Sequence, residues 1–245
     1  MEIIGVIPAR LHSQRLPHKL IKPLLERPLL QWTWENAKKA RSLDELIIAC
    51  DDIEIKQIAD EFGAQTVLTS PQHVSGTDRI AEAARDIDAK YIINIQADEP
   101  LIHPSVIDAL AQEISSPSAL VMATVKKEIT APEEVDNPSV VKVVTDKDDF
   151  ALYFSRFPIP CRRDGDLSVT YYKHIGIYAY TKDFLYTFKN LPPSRLEQAE
   201  KLEQLRVLEA GYKIKVISTQ FDSWGVDTEE DFRKVEQILR SRPKT

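Results

Sequence analysis

Only two cysteines, Cys50 and Cys161, occur among 245 residues. So few thiols, so far apart in sequence, exclude a disulfide framework and a zinc knuckle and leave two buried or incidental side chains. No apolar run reaches the length that spans a bilayer, so membrane insertion is not expected. A charged leader followed by a cleavable apolar core is also missing, which makes a soluble cytoplasmic protein the expectation. Nor is there an excess of positive charge. With 32 Lys and Arg against 38 Asp and Glu, the formal net charge of -6 argues against a general binder of nucleic acid or membrane surfaces. Neither Gly-x-x-x-x-Gly-Lys-Ser/Thr nor Gly-x-Gly-x-x-Gly occurs, so a P-loop and a dinucleotide turn are both excluded. Internal repeats and low-complexity linkers are absent as well.

What is present is an ordinary globular composition, 43% apolar and 29% charged. The length suits one α/β domain, or a main sheet with a smaller lobe. The chain opens on an apolar run of strand length, Ile3-Ile-Gly-Val-Ile7, and breaks at once into a loop carrying Arg10, Arg15 and Lys19 with no acid among them. A continuous apolar run reads as a strand inside a parallel sheet, covered on both faces. Ligands of such sheets collect beyond the carboxyl ends of the strands, where three cations would suit a polyphosphate. The loop thus predicts phosphate binding, with a solvated basic loop as the alternative.

The periodicity predicts helices over 28–37, 53–62, 77–85 and 104–114, alternating with strands over 45–49, 65–68 and 91–95. This βαβα order implies a mostly parallel sheet with right-handed crossovers. From 119 the rhythm changes. Strand patterns at 119–125, 140–145, 151–155 and 171–180 follow one another without comparable helices, which predicts an antiparallel insertion or subdomain around 120–190. Helical patterns return at 194–210 and 228–240, around a last strand at 213–217.

Chemistry-bearing residues sit where these strands end. Gln96-Ala-Asp-Glu-Pro100 follows the 91–95 strand, and adjacent residues of an extended chain face opposite ways, so one of Asp98 and Glu99 is expected to face the site. A carboxylate beside triphosphate suggests Mg2+, which takes one or two carboxylates with phosphate and water; a helix-entry acid is the alternative. Asp227, in Gly225-Val-Asp-Thr228, reads either as a helix cap or as a second carboxylate at the same edge. Ser75-Gly-Thr-Asp-Arg79 precedes a helix and combines hydroxyls, an acid and an arginine; it reads either as part of the site or as a capped helix start with Thr77 or Asp78 as the cap. Arg156, His174, Tyr178 and the Glu203-Gln204 pair could meet an anionic second substrate or be structural.

These pieces occur in order over almost the whole chain: Pro8-Ala-Arg10 with Ser13, Arg15-Leu-Pro17 and Lys19; Asp51-Asp52; Ser75 to Arg79; Gln96 with Asp98-Glu-Pro100; Tyr153-Phe-Ser-Arg156; His174-Ile-Gly-Ile-Tyr178; Leu202-Glu-Gln-Leu-Arg206; and Gly225-Val-Asp-Thr228. Together they resemble the 3-deoxy-manno-octulosonate (Kdo) cytidylyltransferase family. The resemblance implies a single nucleotide-diphospho-sugar transferase domain over 1–245, a Rossmann-like α/β fold whose mostly parallel sheet carries an antiparallel insertion used in homodimer contact. It implies the reaction of CTP with Kdo to CMP-Kdo and pyrophosphate, for bacterial lipopolysaccharide.

Carried onto this chain, the resemblance gives Pro8, Ala9, Arg10, Arg15 and Lys19, Ser75, Gly76, Thr77, Asp78, Arg79 and Gln96 to the nucleotide. Asp98 and Asp227 would hold Mg2+, and Arg156, His174, Tyr178, Glu203 and Gln204 would hold the acceptor, Arg156 as partner of its carboxylate. Arg10, Lys19, Asp98 and Asp227 are the expected catalytic set. Two positions depart from the family pattern: His18 and Ala97 stand where glycine is usual, and glycine at such points permits unusual backbone angles or close approach. Trp224 is a third departure. The alternatives are an enzyme activating another acid sugar, a sialic acid or an amino analogue of Kdo, and a catalytically silent nucleotide-binding relative.

Overall fold

The computed structural model describes residues 2–13, 15–117, 119–163 and 169–241. The ends of the expected 1–245 domain and residues 164–168 of the expected 120–190 subdomain lie outside them. In chain order the elements are β1 (Ile3–Ala9), β2 (Pro23–Leu24), β3 (Arg27–Pro28), α1 (Leu29–Ala37), β4 (Glu45–Cys50), α2 (Ile53–Glu61), β5 (Gln65–Leu68), α3 (Gly76–Ala83), β6 (Tyr91–Asn94) and α4 (Pro104–Ile114). There follow β7 (Met122–Glu128), α5 (Glu133–Asp136), β8 (Lys142–Thr145), β9 (Ala151–Ser155), β10 (Tyr172–Thr181), α6 (Lys182–Asn190), α7 (Arg195–Glu200), α8 (Leu205–Glu209), β11 (Lys215–Ser218) and α9 (Glu229–Ser241).

One sheet runs in the order β11-β7-β10-β6-β1-β4-β5. β1 pairs in parallel with both β4 and β6, and β4 with β5. β10 runs antiparallel to both β6 and β7, so β7 and its parallel neighbour β11 point the same way as β1. The carboxyl ends of β1, β4, β5, β6 and β11 therefore share one edge. That edge collects the loops that carry the site.

The apolar run of β1 explains its central place. Ile3 and Ile7 pack into a cluster on one face with Leu30, Ile48, Ile107 and Phe232, while Ile4 and Val6 pack on the other with Ile47, Ile80, Ile92 and Phe188. Successive side chains of a strand point to opposite faces, so both faces of β1 must be apolar. Each fully buried side chain of this kind contributes roughly 2 kcal/mol.

Strands β5 and β9 and helix α4 lie where the pattern predicts them. The strands of the middle section enter the main sheet: β7 and β10 are sheet members, and only the β8–β9 hairpin hangs from β10. The helix predicted over 194–210 is two short ones. A capping box of Ser194 and Glu197 starts α7, and Lys201, in the left-handed region at φ 55°, ends it before α8. The β2–β3 hairpin, α5 and α6 have no counterpart in the sequence reading; their short or mixed patterns are below what periodicity resolves.

Candidate active site

At the common edge, the loop after β1 turns sharply at His18. Its φ of 55° lies in the left-handed region, and its carbonyl accepts from the amides of Ile21 (3.2 Å) and Lys22 (3.1 Å). The glycine-like backbone expected at position 18 is thus present with a histidine in it. This turn delivers Lys19 into a buried position. Its ammonium donates to Asp98 Oδ2 at 2.6 Å, Asp227 Oδ1 at 2.9 Å and the Val226 carbonyl at 2.9 Å.

Arg15 Nη2 lies 2.8 Å from the other oxygen of Asp227, while Arg10 stays exposed and makes no hydrogen bond or ion pair to the described residues. Burial opposes the charge of Lys19, but Asp98 and Asp227 outweigh it and hold its pKa above the ordinary lysine value.

Asp98 and Asp227 are brought together by backbone: the Val226 amide donates to the Asp98 carbonyl at 2.9 Å. Of the two adjacent acids, Asp98 faces the cleft. Glu99 turns beneath it and accepts from Ser223 Oγ. Burial, then the charges of Asp98 and Asp227, push the Glu99 carboxyl up to about 8. A Cβ at Gly225 would stand 3.3 Å from Glu99 Oε1, a tight contact that would press on this buried acid.

The third wall is the start of α3. Ser75 Oγ accepts from the Asp78 amide at 3.1 Å and donates to the Asp78 carboxylate at 2.9 Å, so the N-cap is Ser75 and not Thr77 or Asp78, and the helix starts one residue earlier than expected. Arg79 is buried and donates to Thr69 Oγ1 at 2.7 Å and Asp51 Oδ2 at 3.1 Å; the other oxygen of Asp51 accepts from the Leu11 amide at 3.0 Å. Asp51 thereby ties α3 to the loop after β1. His73 pairs with Glu82, which also accepts from the Ser70 amide at 3.0 Å.

These walls enclose a cleft of about 370 Å³, lined by Pro8, Arg10, Arg15, Lys19, Ser75, Gly76, Arg79, Gln96, Asp98 and Asp227, with Ser13 and His73 at its sides. A smaller cavity of about 100 Å³ shares Gly76 and Gln96 with it and is lined by Thr77, Asn94, Tyr178, Tyr180, Phe188, Glu203 and Gln204. Glu203 Oε2 accepts from Thr77 Oγ1 at 2.8 Å. Burial raises the Glu203 pKa, partly offset by that bond, and burial raises the Tyr178 and Tyr180 phenols above the ordinary range. Gln204 is buried, and its Nε2 has no hydrogen-bond partner among the described residues.

Four residues expected at the site line neither cavity. Ala9 is a buried strand residue, and Asp78 lies in the first turn of α3, where its carboxylate accepts from Ser75 Oγ. His174 lies against Thr124, Phe154 and Tyr178, and its Nε2 is 2.9 Å from Thr124 Oγ1. Thr124 spends its one proton on the Ile177 carbonyl at 2.8 Å, so the ring donates from Nε2. The Arg156 guanidinium donates to the carbonyls of Glu200 (2.7 Å), Pro138 (2.9 Å) and Lys201 (3.4 Å), so its fork is committed to backbone. Conversely, His73, Asn94, Tyr180 and Phe188 were not anticipated, because no local pattern marks them; Asp51, quoted in the resemblance, gained its role only from Arg79.

The donor set suits a hard divalent ion. Three oxygens, from Asp98, Asp227 and Val226, converge on one cation, the Lys19 ammonium. No group of three or more His, Cys, Asp or Glu side chains forms a closed metal cage among the described residues. Two carboxylates completed by phosphate and water oxygens make the donor set Mg2+ takes, and here the Lys19 ammonium stands where those two carboxylates converge.

A family profile described as cytidylyltransferase matches residues 4–214. The 3-deoxy-manno-octulosonate cytidylyltransferase of Chloroherpeton thalassium is 48% identical over 246 residues, covering 100% of both chains. The enzyme of the same name from Solibacter usitatus is 45% identical over 240 residues, covering 98% of this chain and 95% of its own. A solved structure of CMP:2-keto-3-deoxy-manno-octonic acid synthetase complexed with CTP superposes with a TM-score of 0.92 at 39% identity, covering 98% of this chain and 99% of that one.

Proposed function

This chain belongs to the 3-deoxy-manno-octulosonate cytidylyltransferases, and from that premise we propose that its two cavities join CTP to Kdo, giving CMP-Kdo and pyrophosphate. The observation that carries the reading is the shared wall of Gly76 and Gln96 between a cation-rich cleft and a smaller cavity of hydroxyl, amide and carboxylate groups. A triphosphate suits the first, and a polyhydroxylated sugar the second.

Arg10, Arg15 and Lys19 neutralise the triphosphate, and the first turn of α3 offers amide donors beside it. Thr77, Glu203 and Gln204 orient the sugar hydroxyls, with the unpartnered Gln204 Nε2 as a ready donor. The anomeric hydroxyl oxygen of Kdo then forms a bond to the α-phosphorus as the bond to the pyrophosphate oxygen breaks in line. Alignment and charge compensation supply the rate, and no protein nucleophile is needed. Asp98 and Asp227 would hold Mg2+, which when bound compensates phosphate charge and eases loss of the hydroxyl proton.

The same reading makes the protein a cytoplasmic enzyme of lipopolysaccharide synthesis; no helix of the described residues is long and apolar enough to cross a membrane. It also makes the protein a homodimer, with exposed Leu152 and Phe157 at the β8–β9 hairpin as the apolar surface available to a second copy.

Pyrophosphate release, measured with CTP, Mg2+ and a panel of acid sugars, tests the reading. Kdo should be turned over at least tenfold more efficiently than a sialic acid or an amino analogue; turnover of a sialic acid and not Kdo would refute it.

A further inference from the structure

Around Lys19 the structure places a closed set of four charges. Its ammonium bridges Asp98 and Asp227, and Arg15 takes the remaining oxygen of Asp227. Two cations thus balance two anions, and the point on which the acid oxygens converge is already filled. Lys19 is buried and held by three acceptors, whereas Arg15 is largely exposed. The side chain that guards the position is therefore the inner one.

We propose that Lys19 is the resident cation of this site: without nucleotide its ammonium holds the place of a divalent ion between Asp98 and Asp227, and nucleotide phosphates release the two acids by drawing Lys19 and Arg15 to themselves. The inference rests on reading Asp98 and Asp227 as the metal acids. An ion arriving at the nucleotide-free site meets a neutral cluster and must displace a paired ammonium, so it binds weakly. A triphosphate brings negative charge, competes for the same ammonium and leaves the carboxylates unpaired. Nucleotide and metal affinities are then positively coupled, and by linkage the coupling is reciprocal.

Free Mn2+ counted by electron paramagnetic resonance, in the absence of nucleotide, provides the test. Lys19→Met keeps the length of a buried stem without its charge, and Lys19→Gln serves as the second variant should the first fail to fold. Either should bind Mn2+ at least about tenfold more tightly than the parent, and adding Asp98→Asn should abolish the gain. Lys19→Arg, which keeps the charge, should bind as weakly as the parent. Equal or weaker Mn2+ binding by the neutral variants overturns the proposal, and so does a gain that survives Asp98→Asn. If the parent also releases no pyrophosphate from CTP and Kdo, the underlying reading fails; if it turns over normally, only the role of Lys19 fails.

Discussion

Thr77 Oγ1 and Glu203 Oε2 meet at 2.8 Å across 126 positions of sequence. Thr77 stands in the first turn of α3, beside the nucleotide cleft, and Glu203 in the turn between α7 and α8 that lines the smaller cavity. One hydroxyl thus fastens the two halves of the site to each other.

Thr77→Val keeps the shape and removes the donor, leaving a desolvated carboxylate without that hydrogen bond. Such a loss costs about 1–3 kcal/mol. The expected result is a kcat/KM for Kdo reduced roughly tenfold or more, with the KM for CTP within about twofold of the parent. Steady-state kinetics in each substrate check it, and an equal effect on both substrates would count against the separation of the halves.

Arg156 binds three backbone carbonyls, two of them on the residues that lead into the Glu203 turn. Arg156→Gln should therefore lower the melting temperature by about 2–8 °C, the shift that follows from losing about 1–2 kcal/mol of charge-assisted bonds in a chain of this size. A direct contact to the acceptor carboxylate, as the resemblance implies, would instead raise the KM for Kdo and leave the melting temperature unchanged. Scanning calorimetry beside acceptor kinetics separates the two.

His18 pays a conformational cost at φ 55° that glycine would not. His18→Gly should raise stability by up to about 1 kcal/mol, near 2–4 °C in melting temperature, offset in part by greater freedom of the unfolded chain. Urea denaturation checks the sign; a loss of more than about 1 kcal/mol would show that the ring, which meets His12 edge-on, outweighs the backbone strain.

Burial pushes the His174 imidazole down to about 3, from an ordinary value of 6.5. The unfolded chain takes up this proton below about pH 6.5 and the folded one does not until about pH 3, so acid favours unfolding. The stability is complete above pH 6.5 and falls between there and pH 3, with a slope of about 1.4 kcal/mol per pH unit from this residue. Urea midpoints at pH 7, 5 and 4 should fall less steeply for His174→Gln than for the parent, and parallel curves would assign the acid sensitivity elsewhere.

How much was legible in advance follows from the range of each interaction. The strand Ile3–Ala9 and the helix Pro104–Ile114 declare themselves through periodicity, because each depends on neighbours within four positions, whereas the cap expected at Thr77 or Asp78 falls on Ser75, since several polar residues at one helix start compete for it. Strand alternation predicts that one of Asp98 and Glu99 faces the cleft, but β6 ends at Asn94 and the turn after it decides that the one is Asp98. The long helix expected over 194–210 did not form as one, since Lys201 takes the left-handed conformation for which a lysine gives no local warning.

By itself, then, the sequence determined a mostly parallel α/β sheet, a cationic loop at the end of its first strand and the acids that would answer it, all encoded in short-range pattern. Only the tertiary structure decided that Lys19 lies between Asp98 and Asp227, that Thr77 reaches Glu203 and that Arg156 is spent on carbonyls. Those distances arise from the order in which strands far apart in the chain come to lie side by side, and no local propensity specifies that order.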